Sequence, residues 1–189
     1  MSTDVYTPTD KNRPGTDGVA AIFGVANVDN SASLTITERG SGTFHSTKIV
    51  IDDLDLGATT GTGSTAKGMG KSIYTFPAGH VMITSAHLSI ATEGTAALNN
   101  ADTPEMSLGS VVCTGAVATM TTATWEDILT AQVLANCTGT AKVKFLSTDY
   151  DMLTAGTHEV YLNIADTWAG VDAGMKATGT VIINWILNT

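Results

Sequence analysis

Few segments of this 189-residue chain carry residues suited to chemistry. The most suggestive segment is residues 63–72, which ends in G-K-S as a phosphate-binding P-loop does. That motif, G-x-x-x-x-G-K-S/T, requires a glycine five residues before Gly70, where this chain has Thr65. A P-loop also connects a strand to a helix, whereas a strand pattern follows directly here. The segment therefore predicts a Gly-rich surface loop over residues 57–70 and no nucleotide site.

Acidic residues cluster at two places that resemble calcium loops. Asp52, Asp53 and Asp55 follow an apolar run, but a calcium-binding EF-hand needs D-x-D/N-x-D/N-G, and the fifth position counted from Asp53 is Gly57. Asp149 and Asp151 give the same weak match. We interpret both clusters as solvated strand ends, so no metal is expected.

Other catalytic patterns are missing from the sequence. The four histidines form neither H-x-x-x-H nor H-E-x-x-H; they are His45, His80, His87 and His158. There is no G-x-S-x-G nucleophile elbow, and neither cysteine has a base nearby in sequence. Cys113 lies in an apolar run and is expected in the core. These observations predict a protein that is not an enzyme and has no cofactor.

Composition limits the remaining classes. Apolar residues make up 43% of the chain and charged residues 14%, which indicates a folded domain with a sizeable core. A net charge of −9 disfavours nucleic-acid binding. Apolar runs are shorter than the roughly 20 residues of a membrane span, and no signal peptide is recognisable. We expect an extended polar arm over residues 1–18 and a single domain over residues 19–189.

The sequence predicts that the secondary structure positioning any functional site consists almost entirely of β-strands. Residues 177–187 are apolar and β-branched on both faces, which predicts a central strand covered on both sides. Alternation slips between Ile83 and Ala86, as a β-bulge would produce. One helix is expected over residues 122–134, with Glu126 and Asp127 in its first turn. The other predicted strands are residues 19–25, 33–38, 43–51, 71–76, 80–91, 105–114, 116–120, 141–145 and 158–164, and residues 165–174 are predicted to form a loop.

About ten short strands at this spacing are typical of sandwiches and barrels. The predicted fold is all-β: an antiparallel β-sandwich of the jelly-roll type, with one short helix and an extended N-terminal arm. Residues of the arm that could anchor it on a partner are Tyr6, Pro8, Arg13 and Pro14.

Several strand phrases resemble a known family. They are KIVID at 48–52, IYTFPAG at 73–79, TPEMSLG at 103–109, GAVAT at 115–119, VYLNIADTW at 160–168 and GTVIINW at 179–185. Together they resemble the capsid decoration, or cement, proteins of tailed bacteriophages. The resemblance covers roughly residues 43–187 and carries no catalytic residues.

The resemblance implies a structural virion protein that binds the outer surface of a phage capsid and stabilises it. Its partner would be the major capsid protein, and a homo-oligomer, with a trimer favoured, is expected. The alternative is a carbohydrate-binding host-attachment module, which would use Trp168 and Tyr161 near a loop and acidic loops that hold calcium. A cupin-like enzyme is a third hypothesis and would need clustered metal ligands.

Overall fold

A computed structural model describes residues 32–41, 43–59, 65–94, 102–140, 143–147, 151–156, 158–170 and 172–188. Ten strands run through these residues. They are β1 (Leu34–Ser41), β2 (Phe44–Thr59), β3 (Thr65–Thr75), β4 (Gly79–Gly94), β5 (Glu105–Gly109), β6 (Leu129–Val133), β7 (Val143–Ser147), β8 (Asp151–Gly156), β9 (Glu159–Trp168) and β10 (Asp172–Asn188). The predicted arm over residues 1–18, with its four anchor residues, and the predicted strand 19–25 lie outside the described residues.

The strands form two antiparallel sheets. One has the order β1-β2-β10-β4-β7, with β8 also pairing β4, and the other has the order β3-β9-β5-β6. The pairings are nested: β2 with β10, β3 with β9, β4 with β7 and β8, and β5 with β6. Such nesting is the pattern of a long antiparallel hairpin folded over onto itself, which is a jelly roll. The predicted all-β sandwich is confirmed.

Strand β10 lies at the centre of the larger sheet, between β2 and β4, as predicted. Its inward side chains Val181, Ile183 and Trp185 are buried. The predicted bulge is also confirmed, because Asn184 pairs with Ser85 and Trp185 with Ile83, which leaves Thr84 as an extra residue in β4. The Thr84 hydroxyl donates to the Asn184 carbonyl at 3.1 Å and stabilises the irregularity.

The core lies between the two sheets and follows the period-two alternation of each strand. Ile49 and Ile51 of β2, Leu88 of β4, and Leu162 and Ile164 of β9 are at most 1% exposed. The outward side of β10 differs from the prediction, since Ile182, Asn184 and Ile186 are only half-buried. The expectation that both faces of this strand are covered is therefore wrong for the outer face.

Two predicted loops are strands in the structure. β2 continues through the acidic cluster to Thr59, and β3 begins at Thr65, so most of the loop predicted over residues 57–70 is wrong. β2 passes the cluster with a bulge in which Asp53 has φ 57°, a conformation that Asp tolerates because of its short polar side chain. β9 likewise runs through Trp168, because β3 pairs with it as far as the Thr65–Trp168 position.

The helix predicted over residues 122–134 is wrong. Only a 3₁₀ turn, Ala123–Trp125, forms there, and β6 follows as an edge strand paired with β5. The acidic side chains expected at a helix N-terminus instead accept backbone amides: Glu126 from Ala131 at 2.8 Å and Asp127 from Ser110 at 2.7 Å. Tertiary pairing with the open edge of β5 thus outweighs a weak helix propensity. Residues 116–120 are not a strand either, apart from the neighbouring Gly68–Gly115 bridge.

Candidate interaction face

The outer face of the larger sheet presents apolar side chains to solvent. Phe44 is 68% exposed and Val50 37% exposed, both on the outward side of β2. Across the sheet, Ile186 of β10 pairs with Phe44 on one side and with Met82 of β4 on the other. We call this surface the open face; its described members are Phe44, Ser46, Lys48, Val50, Met82, Ile182, Asn184 and Ile186.

Positive charge accompanies these apolar groups. Lys48 pairs with Ile182 of β10, and Arg39 of β1 pairs with Ser46, so both side chains share the outward side and both are exposed. The chain as a whole carries a net charge of −9. Asp52, two residues after Val50 on the outward side of β2, adds one exposed acidic group. The open face therefore suits a partner surface that is partly apolar and that offers acidic groups to Lys48 and Arg39.

The outer face of the smaller sheet is closed by the chain itself. Residues 110–128, which we call the covering segment, cross β5, β9 and β3. Its residues Cys113 and Met120 form a second small core with Ala165 of β9, against which Val117 and Trp125 pack. A single sandwich thus has one covered and one open outer face.

A buried asparagine fixes the covering segment in place. The side-chain amide of Asn163 in β9 donates to the carbonyls of Val111 at 3.0 Å and Trp125 at 2.9 Å. Its carbonyl accepts the amide of Cys113 at 2.9 Å. Buried backbone groups without a hydrogen-bond partner are costly. This single side chain provides a partner for three backbone groups and so stabilises the packed position of the covering segment. No local sequence pattern marks this role of Asn163, since its partners are 38 to 52 residues away.

Two glycines of the P-loop-like motif, Gly68 and Gly70, lie at the contact between the covering segment and the sheet. Both lie in β3, where a Cβ at Gly68 would meet the Cys113 sulfur at 2.3 Å and a Cβ at Gly70 would meet Asn163 Oδ1 at 2.2 Å. They permit the covering segment to approach the sheet closely. No helix follows them, so this segment forms no phosphate-binding loop.

A closed polar cluster lies inside the sandwich near the turn between β1 and β2. Glu38 accepts hydrogen bonds from the Tyr74 hydroxyl at 2.8 Å and is 3.0 Å from Nδ1 of His45. The His45 ring stacks on Trp185 at 4.0 Å, and Trp185 donates to the Thr47 hydroxyl at 2.8 Å. All five residues are at most 4% exposed. Since no substrate can reach them, this Glu-His-Tyr grouping is structural.

The acidic residues of the suspected calcium loop have separate roles. Asp53 forms an ion pair with Lys176, and Asp55 accepts the amide of Gly57 at 2.8 Å. In the described part of the chain, no group of three or more His, Cys, Asp or Glu side chains is arranged to hold a metal ion. Asp149 lies outside the described residues, and of Asp151 only the backbone is described.

Both thiols are poor nucleophiles. Burial raises the pKa of Cys113 from 9.0 to about 11, and burial chiefly raises the pKa of Cys137 to about 11 as well. A thiol with such a pKa is protonated at neutral pH, and the thiolate is the reactive form. Cys113 is fully buried, as predicted.

Two of the aromatic residues that suggested sugar stacking, Trp168 and Trp185, are buried in the core. Trp168 is fully buried, and its indole donates to the Lys67 carbonyl at 2.9 Å. Trp185 belongs to the core, as expected, and Trp125, itself in the covering segment, is half-buried against the second small core. Tyr161 is half-buried and donates to Glu159; burial and this hydrogen bond raise its pKa to about 12.

No protein-family model, curated protein or solved structure matches the chain. Among the described residues, no helix has the length and apolar character required to cross a lipid bilayer. The geometry of the two outer faces is therefore the main basis for a functional conclusion.

Proposed function

We propose that this protein is a structural virion protein that binds the outer surface of a bacteriophage capsid and stabilises it. The observation that carries the proposal is the open face, since two of the four exposed large apolar side chains in the described part of the chain, Phe44 and Val50, lie there. The resemblance of the strand phrases to phage decoration proteins supplies the identity of the partner, the major capsid protein.

The arrangement suits a cementing role for physical reasons. A flat antiparallel sheet offers a rigid surface whose ordering costs little on binding. Lys48 and Arg39 at the same surface would favour acidic groups on the shell. Contacts of modest strength become sufficient when a homo-oligomer, with a trimer favoured, repeats them.

The arm over residues 1–18 would add a second contact through Tyr6, Pro8, Arg13 and Pro14. Deleting residues 2–18 should leave the unfolding midpoint unchanged and weaken binding to capsids. Unchanged occupancy on capsids would remove the arm from the proposal.

The alternative function, a carbohydrate-binding module, is weakened because Trp168, one of the two aromatic residues it would use, is buried in β9. We accordingly favour the capsid-binding role. A glycan array with and without calcium tests the alternative, and binding in either condition would revive it.

Capsid binding by matched variants tests the proposal. Val50→Ser on the open face and Val133→Ser at the edge of β6 remove the same atoms from exposed valines, which are 37% and 62% exposed. We expect Val50→Ser, and more strongly Phe44→Ser, to weaken co-sedimentation with undecorated capsids by about tenfold, the effect of losing ~1.4 kcal/mol of apolar contact. Val133→Ser should bind as wild type. Equal binding by all three variants would refute the proposal.

A further inference from the structure

Two aspartates, Asp102 and Asp166, lie at the end of the sandwich opposite the Glu38 cluster, the first buried and the second half-buried. Asp102 comes three residues before Glu105, the first residue of β5, and Glu105 pairs with Ala165 of β9. Asp166 is the next residue of β9. The antiparallel pairing of β5 and β9 therefore brings the two carboxyl groups to the same end of the smaller sheet.

Each aspartate is held by the backbone beside the other one. Oδ1 of Asp102 accepts the amide of Ala169 at 3.0 Å, just after β9 ends. Asp166 accepts the amide of Thr167 at 2.7 Å through Oδ1, and the backbone of Thr103 also donates to this carboxylate. This reciprocal arrangement fixes both side chains and orients the second oxygen of each.

Those second oxygens have no partner. Oδ2 of Asp102 and Oδ2 of Asp166 are buried and accept no hydrogen bond, and Asp102 as a whole is only 4% exposed. Buried carboxylate oxygens without a donor or a cation are strongly unfavourable. Each of these oxygens therefore calls for a cation or a proton beside it.

Neighbouring side chains do not neutralise the pair. Lys67 is opposite Asp166 in the β3–β9 pairing, but its ammonium donates to the Ala58 carbonyl at 2.6 Å. Glu105 adds further negative charge, and its Oε2 already accepts the amide of Met120 at 2.7 Å. Burial first, and then the charges of Asp102 and Glu105, raise the pKa of Asp166.

We propose that the Oδ2 atoms of Asp102 and Asp166 bind one hard divalent cation, of which calcium is the best fit. Calcium binds carboxylate oxygens at about 2.3–2.6 Å, and a divalent cation would compensate the negative charge that burial disfavours at both aspartates. The other ligands of the six to eight that calcium takes would be backbone carbonyls or water. Zinc fits less well, because it prefers cysteine and histidine ligands in a closed tetrahedral set, whereas both unpartnered atoms here are carboxylate oxygens.

The proposed site is independent of capsid binding and can be tested on the purified full-length chain. Thermal unfolding is measured with EDTA, with CaCl₂ and with MgCl₂, for wild type and for Asp102→Asn and Asp166→Asn. Each Asn keeps the Oδ1 acceptor that holds the backbone and replaces only the free oxygen with a neutral amide, so the variants should fold. Asp52→Asn, which removes an exposed carboxylate elsewhere, is the control.

Wild type and Asp52→Asn should gain about 5 °C or more in Tm with CaCl₂ at roughly 100 times its Kd, and less with MgCl₂. Both buried-site variants should lose this gain, and calorimetric titration should show at least tenfold weaker calcium binding. If calcium does not change the Tm of wild type, the proposal is wrong. Protonation of one of the two carboxyl groups would then be what reduces the negative charge of the pair. An equal gain in all four proteins would overturn the proposal too, because calcium would then bind elsewhere.

Discussion

The two outer faces of this sandwich are built in opposite ways. On the smaller sheet, Asn163 and a row of small residues receive the covering segment, and the polar groups there are paired and buried. On the larger sheet, the side chains at equivalent outward positions are half-buried or exposed and include Phe44 and Val50. The chain thus covers one face itself and leaves the other open, and the proposed capsid contact rests on this difference.

Asn163 and Asn184 provide the sharpest test of this contrast, since each is an outward-facing asparagine at the centre of its sheet. Asn163→Ala should lower the free energy of unfolding by about 3 kcal/mol, because the Cys113 amide and the Val111 carbonyl lose this partner and the Trp125 carbonyl keeps only the Ser107 hydroxyl. Asn184→Ala removes one hydrogen bond to Ser85 and should cost less than about 1 kcal/mol. Urea denaturation measures both, and similar losses would show that the two faces do not differ as described.

Adding a side-chain atom beneath the covering segment should cause the next largest loss of stability. A Cβ at Gly109 would lie 2.4 Å from the backbone carbonyl of Trp125, whereas a Cβ at Gly170 would meet no atom within 4 Å. Gly109→Ala should therefore destabilise the protein by about 2 kcal/mol. Gly170→Ala, the control, should change the urea midpoint little. If Gly109→Ala were tolerated equally well, the covering segment would not pack as closely as described.

Alkaline pH should loosen the covered face. The folded-state pKa of Cys113 is about 11 against an ordinary value of 9.0, so its contribution to stability is complete below pH 9 and disappears as pH rises through 11. Wild type should lose more stability between pH 8 and pH 10.5 than Cys113→Ala does. Urea midpoints at the two pH values measure this, with Val50→Ser as a control that should decline like wild type. Parallel declines of wild type and Cys113→Ala would contradict the account.

Changes on the open face should have the smallest effect on stability. Phe44→Ser and Val50→Ser remove side chains that already contact solvent, so the free energy of unfolding should change by about 0.5 kcal/mol or less. Urea denaturation checks this. A loss above about 2 kcal/mol would mean that the open face is part of the core.

Local patterns in the sequence predicted much of the fold. The apolar, β-branched pattern of residues 177–187 identified β10 as a central strand. In β4, the slip in alternation between Ile83 and Ala86 predicted the bulge that the structure has at Thr84. The helix prediction failed because the pairing of β6 with β5 is a contact between segments that sequence periodicity does not report. The Gly-rich segment was predicted as a loop because its small residues signal flexibility, whereas here they make room for Cys113.

The candidate sites could be predicted from the sequence less well than the fold. Asn163 and the Asp102–Asp166 pair depend on side chains brought together over 38 to 67 residues, so no short motif marks them. The open face could be predicted only in part: Phe44, Val50 and Ile186 read as strand residues, but both sides of β10 were expected to be covered. Which side of a two-sided apolar strand remains exposed is decided by the rest of the fold.

The most direct test of the central claim is an electron cryomicroscopy map of capsids carrying the bound protein. The account predicts that the open face, with Phe44, Val50 and Ile186, lies against the shell and that the covering segment points away from it. A map in which residues 110–128 contact the capsid and the open face remains in solvent would contradict it.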